Sequence, residues 1–375
     1  MLYITIVPRI KGGKKITNGG FFMKKIISVA VAAMMLTGAV FAAPKVKVGV
    51  SMPTKSLQRW NQDGSNMAKE LKKAGYAVDL QYANNDIAMQ TQQIENMLTK
   101  GDKILVIAAI DGSALKGVLD TAKKQGVKVI AYDRLIMNSD AVSYYATFDN
   151  YKVGTIQGTY LVDKLGLKSR SAKDPAYIEF FTGSPDDNNI NFFFGGAMDV
   201  LTPYLKSGVL VCRSGQTSKA QCATLNWSTE AAQKRMENLI TAQKYGPNGT
   251  KLDAVYSSND SCAQGITNAL VGAGYTAKNF PIVTGQDCDK PSVKNMIAGT
   301  QAMSVFKDTR TLASQVVKMV DAIAKGTQPP INDKKTYDNG TGIIPSFLCE
   351  PVFGDKDNYK ALLIDSGYYT AADLQ

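Results

Sequence analysis

Short apolar runs alternate along this chain with longer stretches whose apolar positions recur at helical spacing. Val46–Met52, Ile104–Ile110, Val127–Tyr132, Ala176–Thr182, Ala254–Ser257 and Ile282–Thr284 are brief and rich in β-branched residues. That is the pattern of strands buried on both faces. Between them, Asn66–Ala74 places Met67, Leu71 and Ala74 on one stripe, and Gln90–Lys100 does the same with Ile94, Met97 and Leu98. Leu115–Lys124 is a third such segment, and the three stop at or just before Gly75, Gly101 and Gly126. Lysine in the last turn followed by glycine is a helix stop signal. The alternation predicts parallel sheets with right-handed crossovers, the doubly wound α/β class. At 375 residues, two domains are expected rather than one.

One apolar run breaks this rhythm. Residues 23–43 read MKKIISVAVAAMMLTGAVFAA, with Lys24 and Lys25 as a basic head and Val40-Phe41-Ala42 as a small-x-small cleavage site. This is the grammar of a secretory signal peptide covering 23–42. The run is short for a membrane span, and nothing after residue 43 is apolar for long enough to be one. No cysteine stands at the cleavage point, which argues against lipid attachment. Residues 1–22 precede Met23 and are read as a mis-assigned start, so 1–42 stand outside the fold and the mature chain is exported.

Removing that segment changes the charge picture. It carries six Lys or Arg and no acid, so the formal net charge of +11 falls to +5. Spread over the mature chain, with no basic run interleaved with aromatics, this is no nucleic-acid footprint. The chain has no histidine, which excludes His-assisted nucleophiles, imidazole metal sites and the commonest general base. No cofactor or metal is expected. Five cysteines in an exported chain invite disulfides, Cys212 with Cys222 and Cys262 with Cys288, leaving Cys349 over; buried thiols packing as small hydrophobes are the alternative.

Polar residues fall where the predicted strands end. Arg59-Trp60 lie beyond the first, Asp133-Arg134 follow VIAY, and Asp149-Asn150 follow YYATF. Asp186–Asn189 follow EFFTGSP, Asn259-Asp260 follow VYSS, Asp287 follows IVTGQ, and Lys307 follows AMSVF. Asp and Asn at such places often cap the next helix, and Asp149-Asn150 and Asn259-Asp260 are open to that reading. Arg59, Arg134 and Lys307 are not. Ligands of open parallel sheets bind outside the carboxyl ends of strands, so two facing sheets would line one cleft with these groups. Trp60 and Trp227 add flat apolar surfaces. Flat aromatics over C–H faces, with bidentate charged and amide groups around a belt of hydroxyls, suit a sugar ring; ordinary core packing is the alternative for each Trp.

RWNQDG, QTQQIENMLTKG, VIAYDRLI, YYATFDN, GSPDDNN, SSNDS, GQDCD and FKDTR occur in this order. In this the chain resembles the periplasmic aldose-binding proteins of sugar ABC transporters, the xylose-binding and multiple-sugar-binding branch, from about Val46 to the final GYYTAADLQ. The resemblance implies two Rossmann-like lobes of the type I periplasmic binding protein fold, joined by a three-strand hinge. It assigns 43–148 plus 308–335 to the first lobe and 149–307 plus 336–375 to the second, with crossovers near Asp149, Lys307 and Lys335. It implies that Arg59 takes ring or hydroxyl oxygens and that Trp60 forms an apolar wall. Asp133 and Arg134 come from YDR, Asp187 and Asn189 from GSPxDNN, and Trp227 from the aromatic ahead of the following helix. Asn259, Asp287 and Lys307 complete the implied ligand set.

The implied function is delivery of a monosaccharide, such as xylose, glucose, galactose or arabinose, by a periplasmic monomer to an ABC transporter permease, with a chemoreceptor or sensor kinase as a second partner. Cys262 and Cys288, and the long loop Gly215–Asn226, depart from the family pattern. The competing readings are a purely chemosensory receptor, a carboxylate-dependent sugar-modifying enzyme, and the sugar-sensing core of a transcription regulator. No GxxxxGK[ST] or strand-borne GxGxxG supports nucleotide chemistry. The signal peptide and the missing DNA-binding head argue against a regulator.

Overall fold

A computed structural model describes Gly12, Gly13 and residues 45–375, of which Val46–Gln375 form one compact unit. The signal-peptide reading of 23–42 and the start at Met23 lie outside the described residues. Twelve strands and nine helices follow one another there.

The first half alternates as the apolar pattern predicts: β1 (Lys47–Met52), α1 (Gln58–Lys73), β2 (Ala77–Tyr82), α2 (Ile87–Thr99), β3 (Ile104–Ile107), α3 (Lys116–Lys124), β4 (Lys128–Tyr132) and β5 (Val142–Phe148). Gly75, Gly101 and Gly126 adopt φ of 96°, 83° and 70°, the left-handed turn that only glycine makes without strain. A late strand, β11 (Ser346–Cys349), completes a six-stranded sheet in the order β11-β5-β4-β3-β1-β2, parallel throughout. On one face, Ile94, Met97 and Leu119 of α2 and α3 pack against Leu105, Ile107 and Val129. On the other, Met67 and Leu71 of α1 join Leu312, Val316 and Met319 of α9 (Thr309–Ala324) over Val48, Val50 and Ile130.

The second sheet uses β6 (Ala176–Phe181), β7 (Leu210–Val211), β8 (Ala254–Ser257) and β9 (Ile282–Val283) in the parallel order β7-β6-β8-β9. The antiparallel pair β10 (Met303–Phe306) and β12 (Val352–Asp355) extends it through a bridge between Gln286 and Val305. Helices α4 (Asn150–Lys164) and α5 (Asn189–Lys206) cover one face; α6 (Thr229–Gln243) and α7 (Asp260–Gly272) cover the other, and α8 (Lys290–Ala298) follows β9. The backbones of α4 and α5 lie in direct contact. A Cβ on Gly154 would strike the carbonyl of Phe193, and one on Gly196 that of Tyr151. No side chain fits there.

Three segments pass between the sheets: β5 to α4, β10 to α9, and β11 to β12. The first two lie at Asp149 and Lys307. The third does not lie at Lys335. Residues 346–349 still hydrogen-bond to β5 in the first sheet, so the chain stays there past the expected 308–335 and crosses at Glu350-Pro351. The cause is visible in sequence only afterwards: SFLC is a four-residue edge strand, too short to register as an apolar run. The cysteines form no disulfide. All five are free thiols, four of them buried. Cys212 and Cys222 both donate to the carbonyl of Gln216 instead, at 3.6 and 3.2 Å, and Cys288 donates to Ser304 O at 3.5 Å. Among the described residues no helix is long and apolar enough to cross a membrane.

Candidate functional site

The carboxyl ends of both sheets open on one cavity. All ten residues singled out from the sequence line it: Arg59, Trp60, Asp133, Arg134, Asp187, Asn189, Trp227, Asn259, Asp287 and Lys307. Arg59 and Trp60 stand in the first turn of α1, just after β1, and Asp133-Arg134 follow β4. Asp187 lies between β6 and α5 and Asn189 opens α5, while Asn259, Asp287 and Lys307 follow β8, β9 and β10. Each is buried, with exposures of 1 to 8%.

Ion pairs span the cavity from one sheet's residues to the other's. Arg59 reaches Asp287 at 2.8 Å and Asp133 at 2.7 Å, and donates Nε–H to Asp63 at 2.5 Å. Lys307 lies 3.0 Å from Asp287 and 3.9 Å from Asp133. Arg134 meets Asp187 at 3.0 Å, donates to the carbonyls of Ala109 and Ile110, and sits 5.1 Å over the Trp60 ring. Asn189 Nδ2 donates to the backbone carbonyl of Asp133 at 2.7 Å, a direct link between the two halves.

Local backbone is bent to aim these groups. Asp133 and Asp287 have φ of 57° and 97°, and Trp227 has 54°. Such conformations are costly for side-chain-bearing residues and persist only where surroundings enforce them. At Asp133 the surroundings are visible: its carbonyl also accepts from Tyr145 and Thr147 hydroxyls at 2.6 and 3.0 Å. Trp227 lies in the short turn Leu225–Trp227 and its ring fills the space beside Gly183, where a Cβ would overlap it. Both readings of Asn259 hold. Its Oδ1 caps α7 through Cys262 N–H at 3.0 Å, and the residue also lines the cavity. Asp149 is a cap alone, accepting from Lys152 N–H at 2.9 Å.

The charges are not equivalent. Burial works to raise Asp133, but Arg59, Lys307 and Arg134 outweigh it and hold that carboxyl below its ordinary range. Burial pushes Asp187 up, opposed by Arg134. Burial also raises Asp63 to about 6 despite Arg59. Arg59 is held well above its ordinary value; burial lowers it, and Asp133, Asp63 and Asp287 together more than reverse that.

Several contributors escaped the sequence reading. Leu57, Phe193, Ser261, Gln286 and Asp289 also line the cavity. Asp63 lies behind it, fully buried and accepting from both Arg59 and the Tyr132 hydroxyl. Asp63 was findable, since it stands four residues after Arg59 on one helix face. Phe193 likewise follows Asn189 by four. Among the described residues no cluster of His, Cys, Asp or Glu is arranged to hold a metal.

Comparison with known proteins bears directly on this geometry. Residues 48–328 match the profile of the periplasmic binding protein domain. The chain is 52% identical over 359 residues to the multiple sugar-binding periplasmic receptor ChvE of Rhizobium radiobacter, covering 94% of this chain and all of that one. It is 35% identical over 353 residues to the D-xylose-binding periplasmic protein of Escherichia coli, covering 94% and 99%. An ABC transporter solute-binding protein from Clostridium phytofermentans, solved with bound β-D-glucose, is 64% identical. It superposes with a TM-score of 0.84 over 88% of this chain and all of that one.

Proposed function

The chain belongs to the periplasmic binding proteins, and we propose that it is the receptor that captures an uncharged aldose and hands it to an ABC transporter permease. One observation carries this reading: ten polar and aromatic side chains from two sheets line a single cavity, bridged by ion pairs. Three cations, Arg59, Arg134 and Lys307, face three lining acids paired with them, Asp133, Asp187 and Asp287. Asp289 apart, the lining charges are paired, which leaves little net field for a charged ligand. The lining offers bidentate donors and acceptors to hydroxyls instead. Trp60 and Trp227 supply apolar faces to the same cavity.

The lobes of this reading are 46–148 with 308–349, and 149–307 with 350–375. Closing them about the three crossovers brings Arg59 and Asp133 from one side to Asp287 and Asp187 of the other. A sugar that touches both sides favours the closed form by that differential contact. The relatives are sugar-binding periplasmic proteins by name, and the site speaks against acid–base work on sugars. Asp133 is held ionised by its cations, which disqualifies it as a general acid. Export through residues 23–42, action in the periplasm as a monomer, and a second partner such as a chemoreceptor or sensor kinase belong to the same proposal.

Calorimetry with glucose, galactose, xylose and arabinose tests it. Micromolar or tighter binding of at least one is expected, lost in Asp133→Ala and Asp287→Ala with the fold intact. Heat from none of them would end the monosaccharide reading, and wild-type affinity in both variants would remove these residues from the site.

A further inference from the structure

One acid in the cleft takes no part in the ion-pair network. Asp289 lines the cavity and is 9% exposed. Its carboxylate has neither a hydrogen bond nor an ion pair among the described residues, although its backbone N–H is pinned to Asp260 at 2.8 Å. The position makes this unusual. Asp289 is the N-cap of α8, where an aspartate ordinarily accepts from a backbone N–H two or three residues on. Asp86, Asp149 and Asp308 all do so at the heads of α2, α4 and α9. Asp289 does not. Pro291, two residues on, has no N–H to offer, and the N–H of Ser292, three on, does not reach the carboxylate either; the residue lines the cavity instead. The groups that face it are Asp287 on its own turn, Asp260 at the head of α7, Arg59 and Asp63 on α1, and Lys307 at the end of β10.

A carboxyl group this buried is unfavourable unless something hydrogen-bonds it. We propose that Asp289 is a specificity-determining ligand contact, its carboxyl taking one hydroxyl of the bound sugar beside Arg59, Asp287 and Lys307. The inference rests on the monosaccharide reading. A carboxyl suits a hydroxyl in either protonation state: ionised it accepts, protonated it donates and accepts. Burial, then Asp287, push Asp289 above its ordinary range. A sugar lacking the partner hydroxyl would leave this acid unsatisfied, and sites built on such a bond reject the deoxy analogue strongly.

The test is calorimetry of wild type, Asp289→Ala and Asp289→Asn with D-glucose, D-xylose and a set of deoxyglucoses each lacking one hydroxyl. Asp289→Ala is expected to bind glucose about tenfold or more weakly. One analogue, penalised in wild type, should bind Asp289→Ala no worse than glucose does, because the lost bond is the same one. If alanine unfolds the chain, the same analogue pattern is read on the isosteric Asp289→Asn. Glucose affinity within about twofold of wild type overturns the inference. So does an equal penalty for every analogue in variant and wild type, since Asp289 would then act only through the fold. Wild type that binds no aldose at all overturns the monosaccharide reading instead.

Discussion

Asp63→Asn separates holding the sugar from holding the fold. Asp63 is fully buried, does not line the cavity, and takes Arg59 Nε–H at 2.5 Å and the Tyr132 hydroxyl. Burial lifts it from its ordinary 3.8 to about 6. A folded value above the unfolded one means stability that is full below about pH 4 and is lost as pH rises through 6. At about 1.4 kcal/mol per unit, wild type at neutral pH has forgone roughly 3 kcal/mol there. Asparagine has no charge to bury and escapes that cost. Against it stands one charge-assisted hydrogen bond, roughly 1.5–3 kcal/mol. No cation is stranded, since Arg59 keeps Asp133 at 2.7 Å and Asp287 at 2.8 Å.

The two terms nearly cancel, so urea unfolding at pH 7 should place Asp63→Asn within about 1.5 kcal/mol of wild type. Sugar affinity should not be spared. Arg59 loses the acceptor that fixes its orientation, and calorimetry should show roughly a 10- to 100-fold loss. The stability difference should also turn with pH, wild type gaining on the variant as pH falls from 7 towards 4. Unchanged affinity would refute the positioning role, and a stability loss well above about 3 kcal/mol would refute the charge accounting.

Gly183→Ala pushes a Cβ into the Trp227 ring, so sugar affinity should fall at least severalfold with a modest drop in melting temperature, read by calorimetry and circular dichroism. Non-reducing mass spectrometry of native protein should find five free thiols, as the structure has it. Cys222 and Cys262, both pushed up to about 12 by burial, should react with a thiol probe only after denaturation. N-terminal sequencing of the exported chain should begin at Ala43, and a start elsewhere would correct the signal-peptide reading.

Much of this was legible because strand ends are chemically conspicuous. A charged pair such as Asp133-Arg134 immediately after VIAY has few structural reasons to exist, and the fold places it in the cavity. Helix stops were equally plain, since Gly75, Gly101 and Gly126 do what only glycine does cheaply. The failures share a cause. β11 and β12 are four residues each, and their partners lie about 200 and 50 residues away in sequence; a local pattern cannot carry so remote a pairing. The expected disulfides failed for a related reason. Nearness in sequence brings Cys212 and Cys222 to one carbonyl, with both left as free thiols. Asp289 was hidden because an acid ahead of a helix reads as a cap, and only the cap's absence reveals its other use.

The glycine contacts between α4 and α5 have a mechanical consequence. Helices whose main chains touch leave no pliable layer of side chains to absorb a displacement, so the two shift as one plank. One end of that plank begins at a crossover, beside Asp149; its other helix begins at Asn189, at the cavity wall. If the lobes close as proposed, a pull on Asn189 would reach the crossover with little loss, and a bulky residue at Gly154 or Gly196 would part the two helices.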